Sequence, residues 1–287
     1  MKLFLSFLGL AVAVATVGAP ARAQDDAGKI YFDLAHGEGD PPRGLEPIVK
    51  KLNLKLIPSK KDQPITADRL KGFRLLYLRA PSAAFGDDEK KAILGFLRAG
   101  GSLFLVLDEE RRQSLKKTGV NDLIEPFGLR LTPDTEYVHN CGAIAKKGDI
   151  HAADREIPYS GGRAVEGGSA FAWQLDKAGK PAQPCAAHKT LEGGGNIVVM
   201  GEGMASLLLG TKEGVRLSGT PRSPAQTTYW GKDSAVFNEE VLAWLIARPA
   251  NDPKKAKART ENKLVGTWRL VKANYGGKEV KIPEGTT

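Results

Sequence analysis

Acidic residues and one histidine crowd the ends of the apolar runs in this chain. After the run 29–34 come His36, Glu38 and Asp40; after 73–78 comes Arg79; after 102–107 come Asp108, Glu109 and Glu110; after 196–201 comes Glu202. Several carboxylates beside one histidine suit a hard divalent cation, which takes oxygen ligands, or a proton-transfer pair of a hydrolase acting on sugars. The competing reading has Glu38 and Glu109 capping helices or pairing with Arg79 and Arg111, with His36 a satisfied loop residue. A second candidate is Tyr159-Ser160-Gly161-Gly162-Arg163, a glycine turn beside an aromatic and a cation. Its plain alternative is an ordinary hairpin loop.

The two cysteines, Cys141 and Cys185, offer two further chemistries. In an exported chain the plain expectation is one disulfide. The sharper reading adds His139 and His188 as a tetrahedral zinc set, but the one-residue spacing of His139 and Cys141 is poor for zinc. No metal is expected on this ground, and no other cofactor is implied.

The elements that must position these residues are legible between 73 and 110. Two apolar runs, FRLLYL and SLFLVL, flank a helix opened by Asp87, Asp88 and Glu89, with Ile93, Phe96 and Leu97 on one face, Arg98 in its last turn and Gly100-Gly101 at its exit. Two buried strands joined by a helix make a parallel crossover, so the fold class is α/β. The same reasoning gives a first strand at 29–34, a helix at 43–52, a strand at 54–57, and a short helix at 65–70 with Thr66 as N-cap. Further on it gives a helix at 120–127, a buried strand at 196–201 and a closing helix at 235–247. Residues 132–190, rich in Gly, Pro and charge, read as a mostly β insertion covering one end of the sheet. Residues 250–263 read as a charged linker.

Lys2, the apolar stretch 3–17 and Ala21-Arg22-Ala23 match a signal peptide over residues 1–23, which gives an expectation of a periplasmic or secreted protein. Cleavage would remove Lys2 and Arg22 and lower the formal net charge from +9 to +7. After it, no membrane-integral protein is expected. The basic excess is spread along the chain and includes neither a basic helix nor a stacking-aromatic module, so no nucleic-acid partner is expected.

The order FDLAHGEG, GGSLFLVLDEE, FGLRLTPD, GGGNIVVMGEG, FNEEVLAWL resembles the class I glutamine amidotransferase-like superfamily over about residues 28–248. Its nearest branch is the GIFT domain of gliding-motility and ABC-transport-associated proteins and of an intraflagellar transport subunit. The resemblance implies a flavodoxin-like, doubly wound parallel sheet over residues 24–249, with the insertion at 132–190, and a binding or scaffolding role. Working members carry a Gly-x-Cys-x-Gly turn and a late His and Glu. Here Leu107 leads into Asp108-Glu109-Glu110-Arg111, and no histidine follows His188, so that Cys-His-Glu triad is absent. Residues 264–287, with Gly266-Thr267-Trp268 and Gly276-Gly277, resemble the opening hairpin of a lipocalin-like domain, or stand as a disordered tail.

Three function classes follow. One is a non-catalytic ligand-binding or scaffold module of the bacterial envelope, its partner an envelope protein or a carbohydrate. Another is a sugar-active or metal-assisted hydrolase of the trehalose-utilisation-like branch. The last is an interaction subunit of a transport or gliding-motility complex.

Overall fold

The computed structural model describes residues 28–37, 39–136, 142–158, 162–201 and 233–247, and two short strands at 273–275 and 278–280. Five strands build the parallel half of one sheet: β1 (Lys29–Phe32), β2 (Lys55–Pro58), β3 (Leu75–Arg79), β4 (Ser102–Val106) and, much later in the chain, β11 (Asn196–Met200). Their spatial order is β2-β1-β3-β4-β11, all parallel. Counting these five strands alone, that is the 2-1-3-4-5 order of flavodoxin-like sheets, with a topological switch where β1 meets β3.

Side chains alternate along each strand, so the sheet has two buried faces. Ile30, Phe32, Leu75, Tyr77, Phe104 and Val106 face one core, where α1 (Leu45–Lys51) and α6 (Ser234–Ile246) supply Ile48, Val49, Phe237, Val241 and Leu245. The rings of Phe32, Tyr77 and Phe104 run across three neighbouring strands with centroids 5.1 and 4.6 Å apart. The opposite core joins Tyr31, Leu76, Leu78, Leu103 and Leu105 to α2 (Ala67–Leu70), α3 (Asp87–Arg98), α4 (Leu115–Thr118) and α5 (Asn121–Ile124). Burying one such large apolar side chain stabilises the fold by about 1.5–3 kcal/mol, so double coverage is what makes these strands continuous apolar runs.

The helix ends follow their local chemistry. Thr66 caps α2, its side chain accepting from Arg69 N at 3.3 Å. The helix expected at 120–127 is shorter: α5 stops at Ile124 and a 3-10 turn, Glu125–Phe127, follows, with Pro126 inside it and Gly128 at φ +71° ending it. Proline lacks the amide that would have continued the α-helical ladder.

Much of the 132–190 segment lengthens the sheet sideways. Beyond β11 come β10 (Pro181–Thr190), β9 (Ser169–Leu175), β6 (Ala143–Ala145) and β7 (Arg155–Ile157), all antiparallel, giving one nine-stranded mixed sheet. Hairpin-type connections can add strands at an edge without a crossover helix, which explains how so short a stretch extends the sheet. Asp233, preceding α6, closes the far edge: its Oδ2 accepts from Glu156 N at 2.9 Å and its own N donates to Glu156 O at 3.2 Å. The remaining strands, β5 (Leu129–Asp134) and β8 (Arg163–Gly167), form a separate two-stranded antiparallel ribbon.

Arg248–Thr287 is a distinct unit. In it, Ala273–Tyr275 and Lys278–Val280 pair antiparallel, Tyr275 opposite Lys278.

Candidate functional site

In an open parallel sheet ligands bind beyond the carboxyl ends of the strands, near the switch point. There β1 ends at Phe32, and the next residue, Asp33, is fully buried. Its Oδ1 accepts from Ala35 N at 3.2 Å and from Ser59 Oγ at 3.4 Å, while Oδ2 lies 2.6 Å from His36 Nδ1. The other ring nitrogen, Nε2, lies 3.3 Å from Glu89 Oε2. Glu89 also accepts from Gly86 N at 2.9 Å and, through Oε1, from Ile65 N at 2.8 Å, so it ties the start of α3 to the segment before α2. The imidazole stacks on Phe85, centroids 4.0 Å apart, and His36 O accepts from Ser82 N and Ala83 N at 2.8 and 3.2 Å. Gly37 is required here: its φ is +85°, and a Cβ on it would stand 2.4 Å from Ser82 Oγ.

Both ring nitrogens of His36 therefore face carboxylates inside a clasp. Burial disfavours the charged imidazole, but the hydrogen bond and charge of Asp33, with the Glu89 charge behind them, outweigh it and raise the His36 pKa. The two acids favour the charged ring, and with Nδ1 against Asp33 and Nε2 against Glu89 neither ring nitrogen is open for a ligand.

The second strand-end cluster follows β4. Arg163, fully buried at the start of β8, buckles several segments together. Its guanidinium donates to Asp108 O at 2.6 Å, Thr132 O at 3.1 Å, Gln113 O at 2.6 Å and Glu110 Oε2 at 2.7 Å. Gly201 makes room for it, since a Cβ there would meet Arg163 O at 2.4 Å. Glu109 is buried and pairs with Arg111 and Arg112. Asp108 is buried too, and burial raises its pKa against the amide of Glu109 and the charge of Arg112. Burial also acts against ionisation of Glu110, yet hydrogen bonds from Ser114, Arg163 and Leu115 N bring its pKa below the usual value.

The site residues chosen from sequence thus have different positions. His36 is in the clasp, Arg79 is buried at the end of β3, Glu109 belongs to the arginine-paired cluster, and Asp40 is exposed. Glu38 and Glu202 lie outside the described residues, as do Cys141, His139 and Tyr159 to Gly161. Cys185 is fully buried within β10. Among the described residues no group of three or more His, Cys, Asp or Glu could hold a metal ion, and no helix is long and apolar enough to cross a membrane.

Sequence reasoning passed over Asp33 and Ser59 and read Glu89 only as first-turn charge on α3. The i, i+3 spacing of Asp33 and His36 directly after a strand was the available signal. It also missed Ala80, a non-glycine residue in the left-handed region at φ +55°, immediately after β3, with its N donating to Val106 O at 2.7 Å. Such a conformation costs about 1–3 kcal/mol and often marks an active-site corner. Here that corner carries only a methyl group.

Residues 30–140 match the family model described as the IFT52 GIFT domain. The human intraflagellar transport protein 52 homolog is 32% identical over 133 residues, 43% of this chain and 29% of that protein. Its mouse counterpart is 30% identical over 118 residues, 39% of this chain and 26% of that protein. The match therefore spans less than a third of the curated relatives. The solved mmIFT52 N-terminal domain superposes with a TM-score of 0.57 at 18% identity, covering 77% of this chain and 98% of that domain, so the two share a fold. These findings correct the expected periplasmic or secreted location, because the curated relatives are named as intraflagellar transport proteins rather than exported ones. The residues that suggested export, 1–23, lie outside the described part. Nothing in the comparisons supports the lipocalin-like reading of 264–287.

Proposed function

We propose that this chain is a non-catalytic interaction module, acting as a subunit of a transport assembly in the manner that the names of its curated relatives suggest. One observation carries the reading. At the switch point, where an enzyme of this fold would hold its substrate, the ionisable groups bond to one another: Asp33 and Glu89 to His36, with the Phe85 ring closing over it. A catalytic acid or base needs a free lone pair or proton within reach of substrate, and the clasp provides neither. Two further observations support the reading: the strained corner at Ala80 has no nucleophile, and the GIFT-type match runs through the same segment.

Size-exclusion chromatography of a native extract tests this, combined with assays of ammonia release from glutamine and of sugar release from glycosides. The chain should elute with stoichiometric partners well above the mass of a single copy, and both activities should stay at background. Elution as a lone monomer, with steady turnover abolished by Glu109→Gln or Cys185→Ser, would sink the proposal.

A further inference from the structure

The ribbon of β5 and β8 borders an open groove of about 730 Å³ against the start of β10, lined by residues that include Thr132, Asp134, Val165, Glu166, Gln183 and Pro184. Among the described residues β8 pairs with β5 alone. On the far side of β5 the Asn121 side chain occupies both backbone groups of Leu131: Nδ2 donates to Leu131 O at 2.9 Å, and Oδ1 accepts from Leu131 N at 2.9 Å. Leu131 lies opposite Val165. When one residue of an antiparallel pair turns its N–H and C=O outward, so does the other. The Val165 N–H and C=O therefore point away from β5, along the edge of β8 that borders the groove.

Edges of this kind are usually blunted with lysine, proline or a covering loop. Here Pro184 stands on the facing strand, but among the described residues the two charged ones that line the groove are acidic: Asp134, exposed and accepting from Glu110 N at 3.1 and 3.2 Å, and Glu166, exposed on the outer face of β8. Among the described residues no Lys, Arg or His lines it, in a chain with 42 basic and 33 acidic residues. An acidic channel on a basic molecule selects for charge opposite to that of the molecule's own surface.

We propose that this groove docks an extended segment of a partner protein in which lysine or arginine alternates with small apolar residues. The apolar side chains would lie against Pro184 and the little of Ala164 and Val165 that stays exposed, 9% and 4%. Asp134 lies opposite Arg163, three residues along β8 from Glu166, a separation of roughly 10 Å that falls between the two- and four-residue spacings of one strand face, so the long, flexible stems of lysine or arginine span the difference. Main-chain bonds to the β8 edge would provide affinity, and the two carboxylates would set the choice of sequence. The inference rests on reading the chain as an interaction module, and it names the class of partner.

The test is fluorescence anisotropy of the full chain with labelled peptides KVKVKVK and EVEVEVE. The basic peptide should bind and weaken steeply with salt, and the acidic one should not bind. Glu166→Lys should weaken KVKVKVK at least tenfold, and Gln183→Arg should also weaken it, with melting temperatures unchanged because both residues lie away from the core. Equal binding of KVKVKVK to the wild type and both variants, or no binding at all, overturns the docking proposal. If the chain still runs in a stoichiometric native assembly, such a failure falls on the groove alone. If it runs as a catalytically active monomer, the module reading falls as well.

Discussion

In the parallel half of the sheet His36 sits between two carboxylates, Asp33 and Glu89, and against the Phe85 ring. In the antiparallel half His151 meets one carboxylate, Glu240, which Arg155 already holds at 2.7 and 2.9 Å. Both histidines are buried, but their titrations move in opposite directions. For His36 the acids outweigh burial. For His151, burial dominates the single Glu240 contact, the Arg155 charge adds to it, and the pKa falls. His188 behaves like His151: burial lowers its pKa, and Asp149 at 3.7 Å only partly opposes this. Among the described residues His151 Nε2 and His188 Nδ1 have no hydrogen-bond partner. Glu240 itself, held by Arg155 against some burial, is lowered to about 2. A histidine beside a carboxylate is thus not one kind of site; its charge depends on how many acids face it and on what else those acids hold.

The largest effect should come from the buckle after β4. Arg163→Met would leave Asp108 O, Thr132 O and Gln113 O without their buried donor, and Glu110 without its cation. The expected loss is about 3–5 kcal/mol in urea denaturation. A loss below about 1 kcal/mol would mean that water replaces the guanidinium and that the ribbon is not fastened there.

A smaller effect should follow pH, with opposite signs in the two halves. His36, raised when folded, adds stability that is complete below about pH 6.5 and is lost as pH rises through its folded value. His151 and His188, lowered when folded, reduce stability once pH falls below about 6.5, because the unfolded chain then binds protons that the folded chain does not. Hydrogen exchange should accordingly show α6 losing protection on acidification while the loop after β1 keeps its own. His188→Phe, which places an apolar ring against Trp244 and Phe171, should reduce the acid sensitivity of α6. Equal acid response in wild type and variant would place the cause elsewhere. The smallest effect should be on the exposed face of α3, where Lys91 pairs with Asp88 at 3.0 Å. Lys91→Ala should change stability by less than about 0.5 kcal/mol.

The centre of the parallel half was legible because β3, β4 and β11 are buried on both faces and so read as the largely apolar runs LLYL, SLFLV and NIVVM. The antiparallel half was not. Its strands are half-covered, interrupted by Pro181 and Pro184, and shifted in register between Pro184 and Ala187, which erases the period-two signal. The strand-end polar residues could be found by position, as His36, Arg79 and Glu109 were. Their partners could not, because Glu89 and Ser59 reach His36 and Asp33 across 53 and 26 residues of sequence. Local pattern carries no information about contacts of that span. Arg163 was noticed only as the cation of a glycine turn, since nothing in its neighbours announces a buried guanidinium.

The central claim is that the clasp at the switch point is structure rather than a vacant site. His36→Ala in the full chain decides it, with chemical denaturation measured alongside calorimetric titration against Mg²⁺, Ca²⁺ and common monosaccharides. The account predicts a loss of about 3 kcal/mol, from stranding the buried Asp33 carboxylate, and no difference in titration heats between variant and wild type. Unchanged stability, with a cation or sugar that binds the wild type and no longer binds the variant, would contradict it.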